Sequence, residues 1–386
     1  MKKKSKFKFF FIYLFIILIF DFSFTNFFFK KTVFWKNINK NLFLEKKWRI
    51  KSSLYHHDLQ KNIKADETWG HLKYTLITNS LGFRDFDNNE IKLENSKKKR
   101  IYINGDSFIE GVGYNYEDTV IGLIQKKHSN NFEILNSAVT SYSPSIYYTK
   151  TKYFLEKGLK IDHCIIFLDI SDIPDENFIN EDDIGNIFDI REKNNQKSLK
   201  GKIYNVSNFY VNNFVSGKLI YIIREITGNL KTKIKKKILA SKKFNKSIFK
   251  ITVKDTNLYK STHIDRSMWT YSKKYSDKWE KKGLKKSEFY LNKLFDLLKK
   301  NNINSYLVIY PNPGQILFNE KNVHEQHWIK WANNNNINLI NLYDLFNGED
   351  KKNIIEKYFI EGDVHWNKKG NLLVFNRINK EIIAFK

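Results

Sequence analysis

Hydrophobic and polar positions divide this chain into three unlike stretches. Lys2, Lys3, Lys4, Lys6 and Lys8 lead into an unbroken apolar run from Phe9 to Phe20, and after Asp21 the apolar character resumes as far as Phe29. Just over twenty apolar residues are enough to cross a bilayer as a helix. A cleavable signal needs small residues near its end, and the first alanine is Ala65. The pattern therefore predicts an uncleaved signal anchor over residues 1–29, with the lysine-rich end in the cytoplasm and the rest exported. Lys30 and Lys31 on the far side reduce that charge bias. A polar, aromatic-dotted stalk is expected over 30–73, with the His56–His57 pair exposed on it.

From residue 74 the pattern changes. "YTLITNSLGFRD" alternates like a short strand and turns at Gly82, and "RIYIN" reads as the first buried strand. Helical and strand-like segments then take turns. "YEDTVIGLIQKKH", "YYTKTKYFLEKG", "LKKSEFYLNKLFDLLKKNN", "EQHWIKWANNN" and "NKKGNLLVFNRINKEIIAF" have helical apolar spacing. "FEILNSAV", "IDHCIIFLDIS", "SYLVIYP" and "INLINLYDLF" read as buried strands. Such alternation predicts a parallel sheet covered by helices on both faces, over residues 74–386. Residues of about 175–265 break the pattern as an insertion, acidic at first and then strongly basic. Within it Leu219, Ile223, Ile226, Leu230, Ile234 and Ile238 recur at spacings of three and four, which predicts a basic amphipathic helix. It would lie on a membrane surface or acidic glycan, or pack as a lid with its lysines solvated.

Composition changes this picture little. The single cysteine, Cys164, excludes an internal disulfide framework and sits in an apolar run, where a buried thiol is expected. The formal charge is +26, but lysine and asparagine are abundant throughout, as a genome-wide bias would produce. The total is therefore not diagnostic, and no nucleic-acid partner is expected.

The chemistry gathers in two short stretches. Ser107, in "INGDSFIEGVG", lies three residues past the first buried strand, at the carboxyl end where reactive groups of an open parallel sheet collect. A helix beginning there offers free N–H groups to a developing oxyanion. A serine so placed is a nucleophile only with a base. "EGDVHWNKKGN" supplies one: His365 follows Asp363 by two positions, so the carboxylate can orient the imidazole and stabilise its protonated form.

At these residues the chain resembles the SGNH/GDSL hydrolases. "GDSFIEGVG" looks like their nucleophile block, "LNSAVTSYSP" (135–144) like the second, "FLDISDIPDE" (167–176) like the third and "DVHWNKKGN" like the closing block. "NSLGFRD" and "YPNPGQI" are similar to segments of membrane-anchored bacterial members. The resemblance covers about residues 74–176 and 266–386. It implies a flavodoxin-like three-layer α/β/α sandwich, catalytic residues Ser107, His365 and Asp363, and no metal or organic cofactor. It also implies an oxyanion hole from the backbone N–H groups of Ser107 and Ser141, with Ser171 as a further donor. Two departures stand out: Ser141 replaces a usual glycine, and Ser171 a usual asparagine. Asn177 or a water is a second source for the missing amide donor.

The expected function is that of a single-pass protein of the bacterial inner membrane, its catalytic domain in the periplasm or outside the cell. It would act as a serine esterase on acyl, especially acetyl, esters of envelope polysaccharide. An O-acyltransferase of surface glycans and a catalytically inactive glycan-binding module are the alternatives. "HEQH" (324–327) lacks the spacing of a zinc-protease helix, and the carboxylates of "DISDIPDE" lack that of a calcium loop, so no metal site is assigned to either.

Overall fold

The buried strands that alternation predicts form one five-stranded parallel sheet. We number its strands β1 (Lys99–Asn104), β2 (Phe132–Asn136), β3 (His163–Leu168), β4 (Asn304–Ile309) and β5 (Asn338–Asn341). Their spatial order is β5-β4-β3-β1-β2, the flavodoxin-like arrangement, with the chain reversing direction across the sheet between β1 and β3. The computed structural model describes residues 2–33, 35, 48–94, 97–191, 199–224, 253–318, 322–348 and 350–385.

Alternation along each strand sends side chains to two cores. Tyr102, Cys164, Ile166, Leu168, Leu307 and Ile309 face one layer of helices, Pro144–Glu156, Lys273–Lys300 and Val323–Asn334. Ile101, Ile103, Ile165, Phe167 and Val308 face the other, Val120–His128 and Lys368–Ile383. Every residue of β3 is buried, as expected for a strand covered on both faces. Cys164 lies within it, and burial pushes its thiol pKa up, so it is an inert core residue. The three-layer α/β/α sandwich is thus the architecture observed.

The chain divides into two units, Met1–Lys46 with Arg191–Lys250, and Lys47–Ile190 with Ile251–Lys386. These boundaries differ from the expected ones. Residues 48–73 are not a stalk but part of the larger unit. They form two antiparallel hairpins, Arg49–Ser52 with His56–Leu59 and Lys64–Trp69 with Leu72–Ile77. Leu59 and Tyr55 reach the first core, and Asp58 takes an ion pair at 2.8 Å from the fully buried Lys150. Lys150 Nζ also donates to Ser137 O at 2.9 Å and Tyr142 Oη at 3.1 Å, which satisfies the buried ammonium. The two ends of the expected insertion likewise belong to the larger unit: Asp172–Glu176, the small hairpin of Ile179–Glu181 with Ile187–Asp189, and Val253–Thr262.

The smaller unit holds the helix Lys2–Phe27, which by length and composition can cross a membrane. It also holds the helix Leu199–Asn213 and a second helical stretch, 215–224. Leu219 and Ile223 of the expected amphipathic helix fall on that stretch, whereas Ile226, Leu230, Ile234 and Ile238 lie outside the described residues.

Candidate active site

Ser107 is the first residue of a one-turn helix, Ser107–Glu110, entered directly from β1. Asp106 caps this turn: its Oδ1 accepts from Phe108 N at 3.0 Å. Gly105 is required by close approach, since a Cβ there would meet Ile109 at 2.7 Å. Gly111 ends the turn in the left-handed region, φ +79°, where its N–H returns to Ser107 O. The buried guanidinium of Arg84, from the "NSLGFRD" segment, donates to the carbonyls of Glu110, Gly111 and Tyr114 beyond it. Strand, cap, glycine and arginine together fix one serine at the sheet's carboxyl edge.

His365 reaches this serine from the loop before the last helix. Its Nε2 lies 2.7 Å from Ser107 Oγ, and its Nδ1 lies 2.5 Å from Asp363 Oδ1. Asp363 Oδ1 also accepts from His365 N at 3.0 Å. Asp363 Oδ2 accepts from Trp69 Nε1 at 3.0 Å, and the Trp69 ring meets the imidazole edge to face at 5.0 Å. Burial works against ionisation of Asp363, but the bonds and charge from His365, with Trp69, outweigh it and hold its pKa at about 2. An ionised Asp363 takes the hydrogen of Nδ1, which leaves Nε2 as an acceptor for the Ser107 hydroxyl. Ser107, His365 and Asp363, 258 residues apart at the extremes, thus form one hydrogen-bonded chain.

Ser141 adopts φ +66°, the left-handed conformation that glycine takes freely. The serine keeps the backbone geometry at a cost of roughly 1–2 kcal/mol. Among the described residues neither the N–H of Ser107 nor that of Ser141 has a protein acceptor. Glu110 ties the two segments together: its carboxylate accepts from Thr140 N at 2.7 Å and Thr140 Oγ1 at 2.8 Å, and pairs bidentately with Arg49 at 2.6 and 3.1 Å. Burial would raise the Glu110 pKa, but Arg49 and Thr140 prevail and lower it to about 2. A depressed carboxyl pKa contributes stability that is full above the ordinary value of 4.5 and is lost as pH falls toward 2, here about 3 kcal/mol. The stability gap between wild type and Glu110→Gln should therefore narrow over that window, as measured by thermal unfolding at stepped pH.

The expectation for Ser171 needs correction. Its Oγ donates to Asp169 Oδ2 at 2.5 Å and its N–H to the same oxygen at 2.9 Å, so its one hydroxyl hydrogen is already engaged by Asp169. Asn177 does not replace it, because its amide donates to Ile173 O and Trp279 O, both at 3.1 Å. Asp106, Asp169 and Asp172 bring carboxylate oxygens within 4.8 Å of one another, among the described residues the one such cluster close enough to share a cation. Burial and mutual repulsion raise the pKa of both Asp106 and Asp172. In "HEQH" the two histidines have separate structural partners, Tyr343 Oη 2.9 Å from His324 Nδ1 and Glu288 Oε1 2.9 Å from His327 Nε2.

The hairpins read as a stalk supply what sequence reasoning missed. Arg49 holds Glu110, His57 Nε2 meets Thr140 O at 2.8 Å, and Trp69 holds Asp363. His57 is not exposed; burial lowers its pKa to about 4.

No family model matches the chain, and no curated protein matches it. Several solved structures are similar. A GDSL-like lipase from Bacteroides thetaiotaomicron is 10% identical, with 77% of this chain and 93% of that one covered and a TM-score of 0.37. The acetyl xylan esterase AlAXEase is 14% identical, with 73% and 99% covered and a TM-score of 0.38. The esterase EstA from Pseudoalteromonas is 12% identical, with 75% and 98% covered and a TM-score of 0.34.

Proposed function

We propose that this chain is a membrane-anchored serine esterase of the SGNH/GDSL kind that cleaves acyl esters. The observation that carries the reading is the unbroken line Ser107 Oγ, His365 Nε2, His365 Nδ1, Asp363 Oδ1, at 2.7 and 2.5 Å across its two gaps. Ser107 Oγ attacks the ester carbonyl while His365 Nε2 takes its proton, and Asp363 stabilises the resulting imidazolium. The N–H groups of Ser107 and Ser141 receive the oxyanion. The alcohol leaves with the proton from His365, and an acyl-Ser107 ester remains. Water, deprotonated by His365, then attacks that ester, releases the acid and returns the proton to Ser107. A sugar hydroxyl in place of water would make the same site an O-acyltransferase. The substrate we propose is an acetyl ester on envelope polysaccharide, supported by the resemblance of the Asp363–Trp366 run "DVHW" to acetyltransferase-type family members that modify exopolysaccharides and by the apolar N-terminal helix with its leading lysines.

A fluorophosphonate probe tests this reading. The purified chain should be labelled covalently at Ser107, with labelling lost in His365→Ala. Labelling absent from wild type would favour a glycan-binding module without catalysis. A further expectation concerns Trp69. Trp69→Phe keeps a ring against His365 but removes the donor to an ionised carboxylate, a bond worth about 1.5–3 kcal/mol. Turnover of an acetyl ester should fall at least roughly tenfold with KM nearly unchanged. A kcat equal to wild type would remove Trp69 from the positioning of Asp363.

A further inference from the structure

The smaller unit presents apolar side chains on both of its short helical stretches. Ile203, Val206 and Phe209 of Leu199–Asn213, and Leu219, Ile220 and Ile223 of 215–224, are each more than half exposed. Their attachment to the rest of the unit is specific. Phe22 of the N-terminal helix packs against Phe209 and Phe214, at centroid distances of 6.3 and 5.5 Å. Asn26 Nδ2 donates to Asn213 O at 3.2 Å, and Lys30 Nζ to Asn213 Oδ1 at 2.9 Å. Asp21, the acid within the apolar run, accepts from Val215 N at 2.8 Å and Ser216 N at 3.2 Å, with Ser216 Oγ donating to it as well. Asp21 thus caps the start of 215–224, whose first N–H groups have no intrahelical acceptor.

We propose that residues 199–224 lie in the headgroup–acyl boundary of the bilayer beside the N-terminal helix, with their exposed apolar side chains in lipid hydrocarbon. The inference rests on the reading of Lys2–Phe27 as a membrane anchor. Three observations choose lipid as the occupant. The contacts fall between Asp21 and Lys30, in the second half of the apolar run Phe9–Lys31, so both stretches meet the anchor toward the end marked by Lys30 and Lys31. Helices of 15 residues and fewer are too short to span a bilayer but suit one that lies in its surface. Lys218 stands 4.6 Å over the ring of Trp35, and the sequence continues with nine lysines and no acid over 231–250, which anionic headgroups attract.

The full chain, with Cys164→Ala, would be reconstituted in vesicles of phosphatidylcholine and phosphatidylglycerol. Bimane would be attached separately through Phe209→Cys, Ile220→Cys and, in the anchor, Phe15→Cys. Brominated acyl chains should quench the labels at 209 and 220 at least about twofold, and aqueous iodide should quench them little, as for 15. Lipid quenching at 15 with iodide quenching at 209 and 220 would overturn the inference and leave the anchor intact. Iodide quenching at all three would overturn both. Labels at 209 and 220 shielded from both quenchers would show a protein covering and overturn the lipid assignment.

Discussion

Ser107→Ala should reduce turnover of an acetyl ester by about 10⁴-fold or more, toward the residual rate that binding and the backbone N–H groups sustain alone. The fold should persist, because the cap of the one-turn helix is the Asp106 carboxylate and not the serine hydroxyl. The thermal midpoint should therefore stay within a few degrees of wild type, on the order of 1 kcal/mol or less. Steady-state kinetics and a melting curve on the same preparation check both halves. A variant that retains a tenth of wild-type turnover would remove Ser107 as the nucleophile.

Asp363→Asn should be nearly as severe, about 10⁴-fold in kcat, through the tautomer of His365. Trp69 Nε1 needs an acceptor at the position of Asp363 Oδ2, 3.0 Å away. An asparagine oxygen placed there turns its amide NH₂ toward His365 Nδ1, which must then be an acceptor. The ring hydrogen moves to Nε2 and points at Ser107, so no base remains. Wild-type Asp363, with its pKa at about 2, stays ionised from pH 5 to 9, so the gap between the two proteins should persist across that whole range. Rate profiles of both proteins from pH 5 to 9 test this. Comparable turnover would mean that His365 is oriented by something other than this carboxylate.

Much of this was legible in the chain, for identifiable reasons. The central strands β1 and β3 are buried on both faces and therefore read as continuous apolar runs, such as "CIIFL" in β3. Ser107 and the Asp363–His365 pair were legible because each sits at a strand or loop end whose position follows from that alternation. The supporting residues were not. "RIKS", "HHDL" and "KADETW" are short, polar and half-buried, without the apolar alternation that marks a strand. Their contribution is made by Arg49, His57 and Trp69 individually, against partners up to 294 residues away. The fate of Ser171 was illegible for another reason. A serine in the amide position can donate one hydrogen, and nothing in the sequence says that Asp169 two residues earlier will take it.

The way the polypeptide is shared between its two units bears on how a soluble form would be engineered. Removing the leader alone would strip Asp21 from the first turn of 215–224 and leave its greasy flank orphaned, a recipe for aggregates during purification. A better-behaved truncation starts at Lys47 and also excises Arg191–Lys250, with a flexible Gly/Ser bridge joining Ile190 to Ile251. It would keep both hairpins that brace the reactive centre, whereas a start at residue 74 would discard Trp69 along with them.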